Sequence, residues 1–96
     1  MPASQARIVL STAGAEQQAR SIARRLVDER LAACVNIVGP IRSVYRWRDA
    51  VEDDPEFLLL IKTRASLLGR VERLFLRVSP RAFRNRPTDE RPTMIP

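Results

Sequence analysis

Ninety-six residues make one domain at most, and a chain of this length buries only about 60–65% of its unfolded surface, so its core is adequate with little to spare. A hydrophobic fraction of 45% argues against global disorder. Cys34 is the single cysteine and histidine is absent, which excludes an internal disulfide and the usual zinc or copper ligand sets within one subunit. The formal charge of +6 would suit a nucleic-acid partner, but arginine supplies every basic residue except Lys62 and is scattered along the whole chain, as on a solvated surface.

Arg7-Ile-Val-Leu10 is a short apolar run ending in Ser11-Thr12, read as a buried strand meeting a helix start. From Ala15 to Leu31, apolar residues recur at Ala15, Ala19, Ile22, Ala23, Leu26, Val27 and Leu31, which predicts an amphipathic helix. Ser11 or Thr12 would cap its first amides and Glu16 would complement its dipole. Ala33 to Arg48 is β-compatible, and Gly39-Pro40 in its middle marks a bend, bulge or edge. Beyond it, Ile41, Ser43, Tyr45 and Trp47 face one side and Arg42, Val44, Arg46 and Arg48 the other. Asp49 to Pro55 is acidic and turn-rich, and Phe57-Leu-Leu-Leu-Ile61 has the continuous apolar character of a central strand. Thr63 or Ser66 opens a second helix with Leu67, Leu68, Val71, Leu74, Phe75 and Val78 on its apolar side. Gly69 costs that helix about 1 kcal/mol relative to alanine.

This order of strand, helix, strand, strand, helix predicts an α+β fold of the ferredoxin-like split β-α-β type, over residues 1–78. Such a unit needs a fourth strand. Residues 79–96 carry prolines at 80, 87, 92 and 96 and no period, so they are expected to form an irregular Arg/Pro-rich tail that leaves the fourth strand missing or replaced.

Several separated segments, Ile8-Val-Leu-Ser-Thr12, Leu31-Ala-Ala-Cys34-Val-Asn36, Ser43-Val-Tyr45-Arg-Trp47 and Ile61-Lys62-Thr63, resemble in order and spacing the CutA-type divalent-cation tolerance family. The likeness is dense from about Ile8 to Phe75. It implies a ferredoxin-like domain, a homotrimer, a role in the response to metal ions and no enzymatic activity. Three departures stand out. The family's turn after the tryptophan reads Trp-x-Gly, whereas Asp49 stands here, a residue that tolerates left-handed backbone. A cysteine that some members place at the end of the first strand as a copper ligand is Ser11. The His-Pro-Tyr segment and the Pro-Glu-led strand that follow the family's second helix have no counterpart after Leu76, as a reading-frame change near Leu76–Val78 would produce. The resemblance leaves copper or another divalent cation open as a ligand, but those cysteine and histidine positions are not present, so no cofactor and no metal residues are expected.

Candidate sites come with ordinary structural alternatives. Cys34 is expected to pack among apolar neighbours. Ser11 and Thr12 could hold an anion on free helix amides, against plain capping. Tyr45 and Trp47 could stack on a flat ligand in an inter-subunit cleft, against packing in the trimer. Lys62 could join them to pair with an anionic ligand or with Glu56, against a lysine that merely reaches solvent. Asp49, Glu52, Asp53, Asp54 and Glu56 lack the spacing of a calcium loop and read as a solvated turn. No catalytic triad is possible without histidine. The alternative function is a basic nucleic-acid-binding module using Arg42, Arg46, Arg48 and the tail. No apolar run approaches the ~20 residues needed to span a bilayer. The N-terminus lacks a signal-like pattern, so a cytoplasmic protein with no membrane partner is expected.

Overall fold

The computed structural model describes residues 5–78. Its elements run β1 (Ala6–Ala13), α1 (Glu16–Asp28), β2 (Cys34–Trp47), β3 (Ala50–Arg64), a 3-10 turn (Ala65–Leu67) and α2 (Leu68–Val78). The three strands form one antiparallel sheet in the order β1-β3-β2, the predicted α+β ferredoxin-like arrangement. The expectation of an irregular tail over 79–96 with no fourth strand lies outside the described residues.

The continuous apolar run explains why β3 is central. Leu59 and Ile61 are fully buried beneath the helices, with Val9, Ala13, Ala19, Ile22, Leu26, Val71, Leu74 and Phe75. Alternation along β3 sends Leu58, Leu60 and Lys62 to the opposite face, which neither helix covers. One sequence expectation for β3 needs correction. Asp49 to Pro55 is not an extended turn: the reversal takes only Arg48 and Asp49, and β3 begins at Ala50. Both turn residues have positive φ, 53° and 66°, the mark of a two-residue type I′ hairpin, with Asp49 in the left-handed backbone expected of it. Pro55 sits within β3 opposite Arg42, and β1 ends level with Phe57. The other side of Pro55 is thus an edge, where a strand tolerates a residue without an N–H.

The dipeptide Gly39-Pro40 forms the bulge. Register passes from Val38 opposite Leu58 to Ile41 opposite Glu56, and the Gly39–Pro40 bond is cis. The extra residue on β2 reverses its alternation. Val35 and Ile37 face the helices before the bulge, whereas Ile41, Ser43, Tyr45 and Trp47 face away from them after it. Beyond the bulge, β2 and β3 extend past the helices as a two-stranded arm, which leaves Val44 and Val51 over 60% exposed.

The helix boundaries also differ from the sequence reading. β1 runs on through Ser11 and Thr12, and the residue preceding α1 is Ala15, which offers no side-chain cap. Pairing with Leu59 and Leu58 holds Ser11 and Thr12 extended, so strand pairing overrides capping preference at these positions. Thr63 likewise belongs to β3, and its hydroxyl donates to the Leu31 carbonyl at 2.6 Å in the buried interior. At its other end α1 closes in a Schellman motif: Arg30 N–H donates to Val27 O at 3.0 Å and Leu31 N–H to Leu26 O at 2.9 Å. Arg30 holds the left-handed position at φ 60°, a place glycine ordinarily takes. Buried Leu31 packs back on the core from that turn.

Candidate functional site

The face of the sheet opposite the helices carries most of the residues singled out in the sequence. Across its middle run three rows: Ile8–Lys62–Cys34, Leu10–Leu60–Asn36 and Thr12–Leu58–Val38. The apolar members are only partly covered, with Ile8 at 53% and Val38 at 44% exposure. Cys34 is exposed on this face, correcting the expectation that it packs: the parity of β2 before the bulge turns it away from the core. Its Sγ lies 3.8 Å from Asn36 Oδ1. Lys62 stands between Ile8 and Cys34 and has no ion pair among the described residues.

On the two-stranded arm, Tyr45 faces Glu52 and Trp47 faces Ala50. The Tyr45 hydroxyl donates to Asp54 Oδ2 at 2.8 Å, a diagonal cross-strand pair. That hydrogen bond raises the phenol above its ordinary value near 10, helped by partial burial and by the charges of Asp54, Glu56 and Glu52. The Arg48 guanidinium lies 5.1 Å from the centre of the Trp47 ring, within cation–π range. On the arm's other face Arg42 is bound to Asp53 through contacts of 2.9 and 3.1 Å. Two of the three arginines of the nucleic-acid reading are thereby engaged within the hairpin.

Geometry separates the predicted ligand residues. Tyr45 is level with Glu52, ten residues from Lys62 along one uninterrupted strand. At about 3.3 Å per residue that is roughly 33 Å. The three share a face but cannot touch one small ligand within one copy of the chain. Lys62 is also too far from Glu56, six positions and about 20 Å away along the same strand, so the anticipated Lys62–Glu56 pair is not formed. Ser11 and Thr12 do not stand at a helix N-terminus. Ser11 is 1% exposed in the sheet, and its Oγ has no hydrogen-bond partner among the described residues. Among the described residues no group of three or more histidine, cysteine, aspartate or glutamate side chains could hold a metal ion. No helix of the described residues is long and apolar enough to cross a membrane.

Sequence reading missed Asp54 as the partner of Tyr45. The signal was present, since a tyrosine and a carboxylate nine residues apart flank a tight hairpin, but it requires the register. It also missed a cavity of about 440 Å3 lined by Val27, Arg30, Ala32, Ala33, Thr63, Arg64 and Leu67, which joins two segments distant in sequence.

Residues 7–82 match the family model described as CutA1 divalent ion tolerance protein. The chain belongs to that family. The match continues past Phe75, where the likeness read from the sequence alone ends. The chain is 57% identical over 56 residues to the divalent-cation tolerance protein CutA of Thermus thermophilus, a stretch covering 58% of this chain and 54% of that protein. It is 43% identical over 65 residues to mouse protein CutA, covering 68% of this chain and 37% of the mouse protein. The matched part therefore spans about half or less of these curated relatives. A solved structure of the Thermus thermophilus CutA1 superposes with a TM-score of 0.76 at 44% identity, over 78% of this chain and 73% of that one. CutA membership and the ferredoxin-like fold thus rest on sequence and structure together.

Proposed function

We propose that this CutA-family chain serves divalent-ion tolerance as a non-enzymatic, self-associating binding protein of the cytoplasm, with the homotrimer as its working form and no resident cofactor. One observation carries the reading: the sheet face opposite the helices is apolar and half-covered across all three strands. Ile8, Leu10, Val38, Ile41, Leu58 and Leu60 lie on it, with Tyr45 and Trp47 on the projecting arm. A second copy seated there would bury these groups at about 25 cal/mol per Å2 of apolar surface. Tyr45 and Trp47, about 33 and 40 Å from Lys62 in one copy, would reach a lysine only from a neighbouring copy. A ligand held by all three would therefore lie between subunits, its flat part on the aromatics and its anionic part on the lysine. The donor set of the described residues does not fit a tightly held transition metal, so the tolerance role is assigned without a resident ion.

Sedimentation velocity tests the assembly. A single species at three times 10.9 kDa is expected, and a monomer at every concentration would overturn the reading. The binding role is tested by melting shifts with anionic aromatic ligands and with copper or zinc salts, in wild type, Lys62→Ala and Trp47→Ala. A ligand-dependent shift lost in both variants is expected, whereas turnover of a ligand would refute the non-enzymatic assignment. Fractionation of the native host tests the compartment.

A further inference from the structure

We infer that the cavity between the end of α1 and the β3–α2 junction is a binding site for small amphiphilic carboxylates, an apolar body with one anionic head. None of its lining residues is among those named on the face considered for assembly, although Arg64 follows Lys62 in the alternation of β3. Its volume of about 440 Å3 falls in the range of roughly 300–1,000 Å3 typical of small-molecule sites. The walls are Val27, Ala32, Ala33 and Leu67, with the arginines Arg30 and Arg64 beside them. Val27 belongs to the apolar stripe of α1 yet remains 42% exposed, because it faces this hollow instead of the core.

Several polar groups of the walls are already engaged, which narrows the ligand chemistry. Ala32 N–H donates to Leu26 O at 3.1 Å, Ala33 N–H to Lys62 O at 2.9 Å and Arg30 N–H to Val27 O at 3.0 Å. The Thr63 hydroxyl donates to Leu31 O. The other polar side chains of the lining are those of two arginines. Arg20, Arg24, Arg25 and Arg42 are each neutralised by a carboxylate at 2.9–3.2 Å, whereas Arg30 and Arg64 have no ion pair among the described residues. Two arginines with no ion pair among the described residues, lining an apolar hollow, suit a carboxylate, which arginine can grip with two parallel hydrogen bonds. An apolar ring or branched chain would fill the hollow between Val27 and Leu67.

The test uses the full chain and 4-(trifluoromethyl)benzoate as the probe, with amide chemical shifts and the fluorine signal followed through a titration. Saturable binding is expected, with the largest perturbations at Ala32, Ala33, Thr63 and Leu67. The neutral isostere 4-(trifluoromethyl)benzamide should bind at least about tenfold more weakly. Arg30→Gly, which suits the left-handed backbone, and Arg64→Gln should each weaken the benzoate by a similar factor, while Arg73→Gln on α2 should not. Absence of saturable binding at millimolar probe would overturn the assignment. So would equal affinity for benzoate and benzamide, or perturbations centred on Arg70 to Arg77.

Discussion

Gly39→Ala tests whether the bulge, and with it the facing of Tyr45 and Trp47, is set by close backbone approach. Gly39 does not have positive φ, so alanine meets no intrinsic backbone penalty there. The obstacle is space. A Cβ on Gly39 would stand 2.6 Å from Phe57 Cδ2, 3.1 Å from the Glu56 carbonyl oxygen and 3.2 Å from Phe57 Cα. Two of those three atoms are backbone of the central strand and cannot swing aside. Overpacking of this kind costs about 1–3 kcal/mol, and alanine returns about 0.4–1 kcal/mol by restricting the unfolded chain. The net expectation is a loss of about 1–2 kcal/mol, which in a domain of this size lowers Tm by roughly 4–8 °C per kcal/mol. Urea unfolding at fixed protein concentration measures it, since self-association would otherwise enter the midpoint. A cycle with Phe57→Val, which removes the ring atom but leaves the backbone in place, should recover part of the loss and give a coupling of at least ~0.5 kcal/mol. If Gly39→Ala is as stable as wild type, or equally damaging in both backgrounds, close approach is not what positions the bulge.

Four further outcomes follow from individual contacts. Tyr45 is the single tyrosine, so tyrosinate absorbance should report a midpoint above 10 in the folded protein, and Asp54→Asn should lower it. Because the folded phenol holds its proton above the unfolded value, its contribution to stability is complete below pH ~10 and lost as pH rises through the folded midpoint, which alkaline unfolding curves would show. Ser11→Ala removes a buried hydroxyl with no partner among the described residues and should leave stability unchanged or raise it by up to ~1 kcal/mol in thermal melts. Thr63→Val deprives the Leu31 carbonyl of its buried donor and should cost about 1–3 kcal/mol by urea unfolding. Gly69→Ala, where a Cβ would meet only the Arg73 guanidinium at 3.8 Å, should stabilise α2 by about 0.5–1 kcal/mol and raise Tm.

The fold was legible because its signals are periodic and local. The 3.6-residue stripe of α1, the unbroken apolar run of β3 and the alternation beyond Gly39-Pro40 each determine an element without tertiary information. What eluded the sequence depends on register. Asp49 to Pro55 has turn-forming composition, yet pairing with β2 draws it into a strand because the reversal needs only two residues in left-handed backbone. Ser11, Thr12 and Thr63 have capping chemistry, but the strands extend through all three. Arg30 has no glycine-like signature, and the Schellman turn is imposed on it by the burial of Leu26 and Leu31 on either side.

The site was legible only as far as its face. Parity places Tyr45, Trp47, Cys34 and Lys62 on one side of the sheet once the bulge is counted, but parity carries no information about distance along a strand. Lys62 ends the part of β3 flanked by both neighbours, whereas Tyr45 stands on the projecting arm. An arm that extends beyond its own helices leaves Val44 and Val51 in solvent and presents Tyr45 and Trp47 with no covering layer in the described chain. A two-stranded ribbon is at best marginally stable alone in water. The cross-strand Tyr45–Asp54 and Arg42–Asp53 contacts stiffen it, but exposed pairs of this kind contribute only about 0.2–1 kcal/mol each. The shape of this arm, more than any single side chain, therefore favours a neighbouring copy as the completing surface.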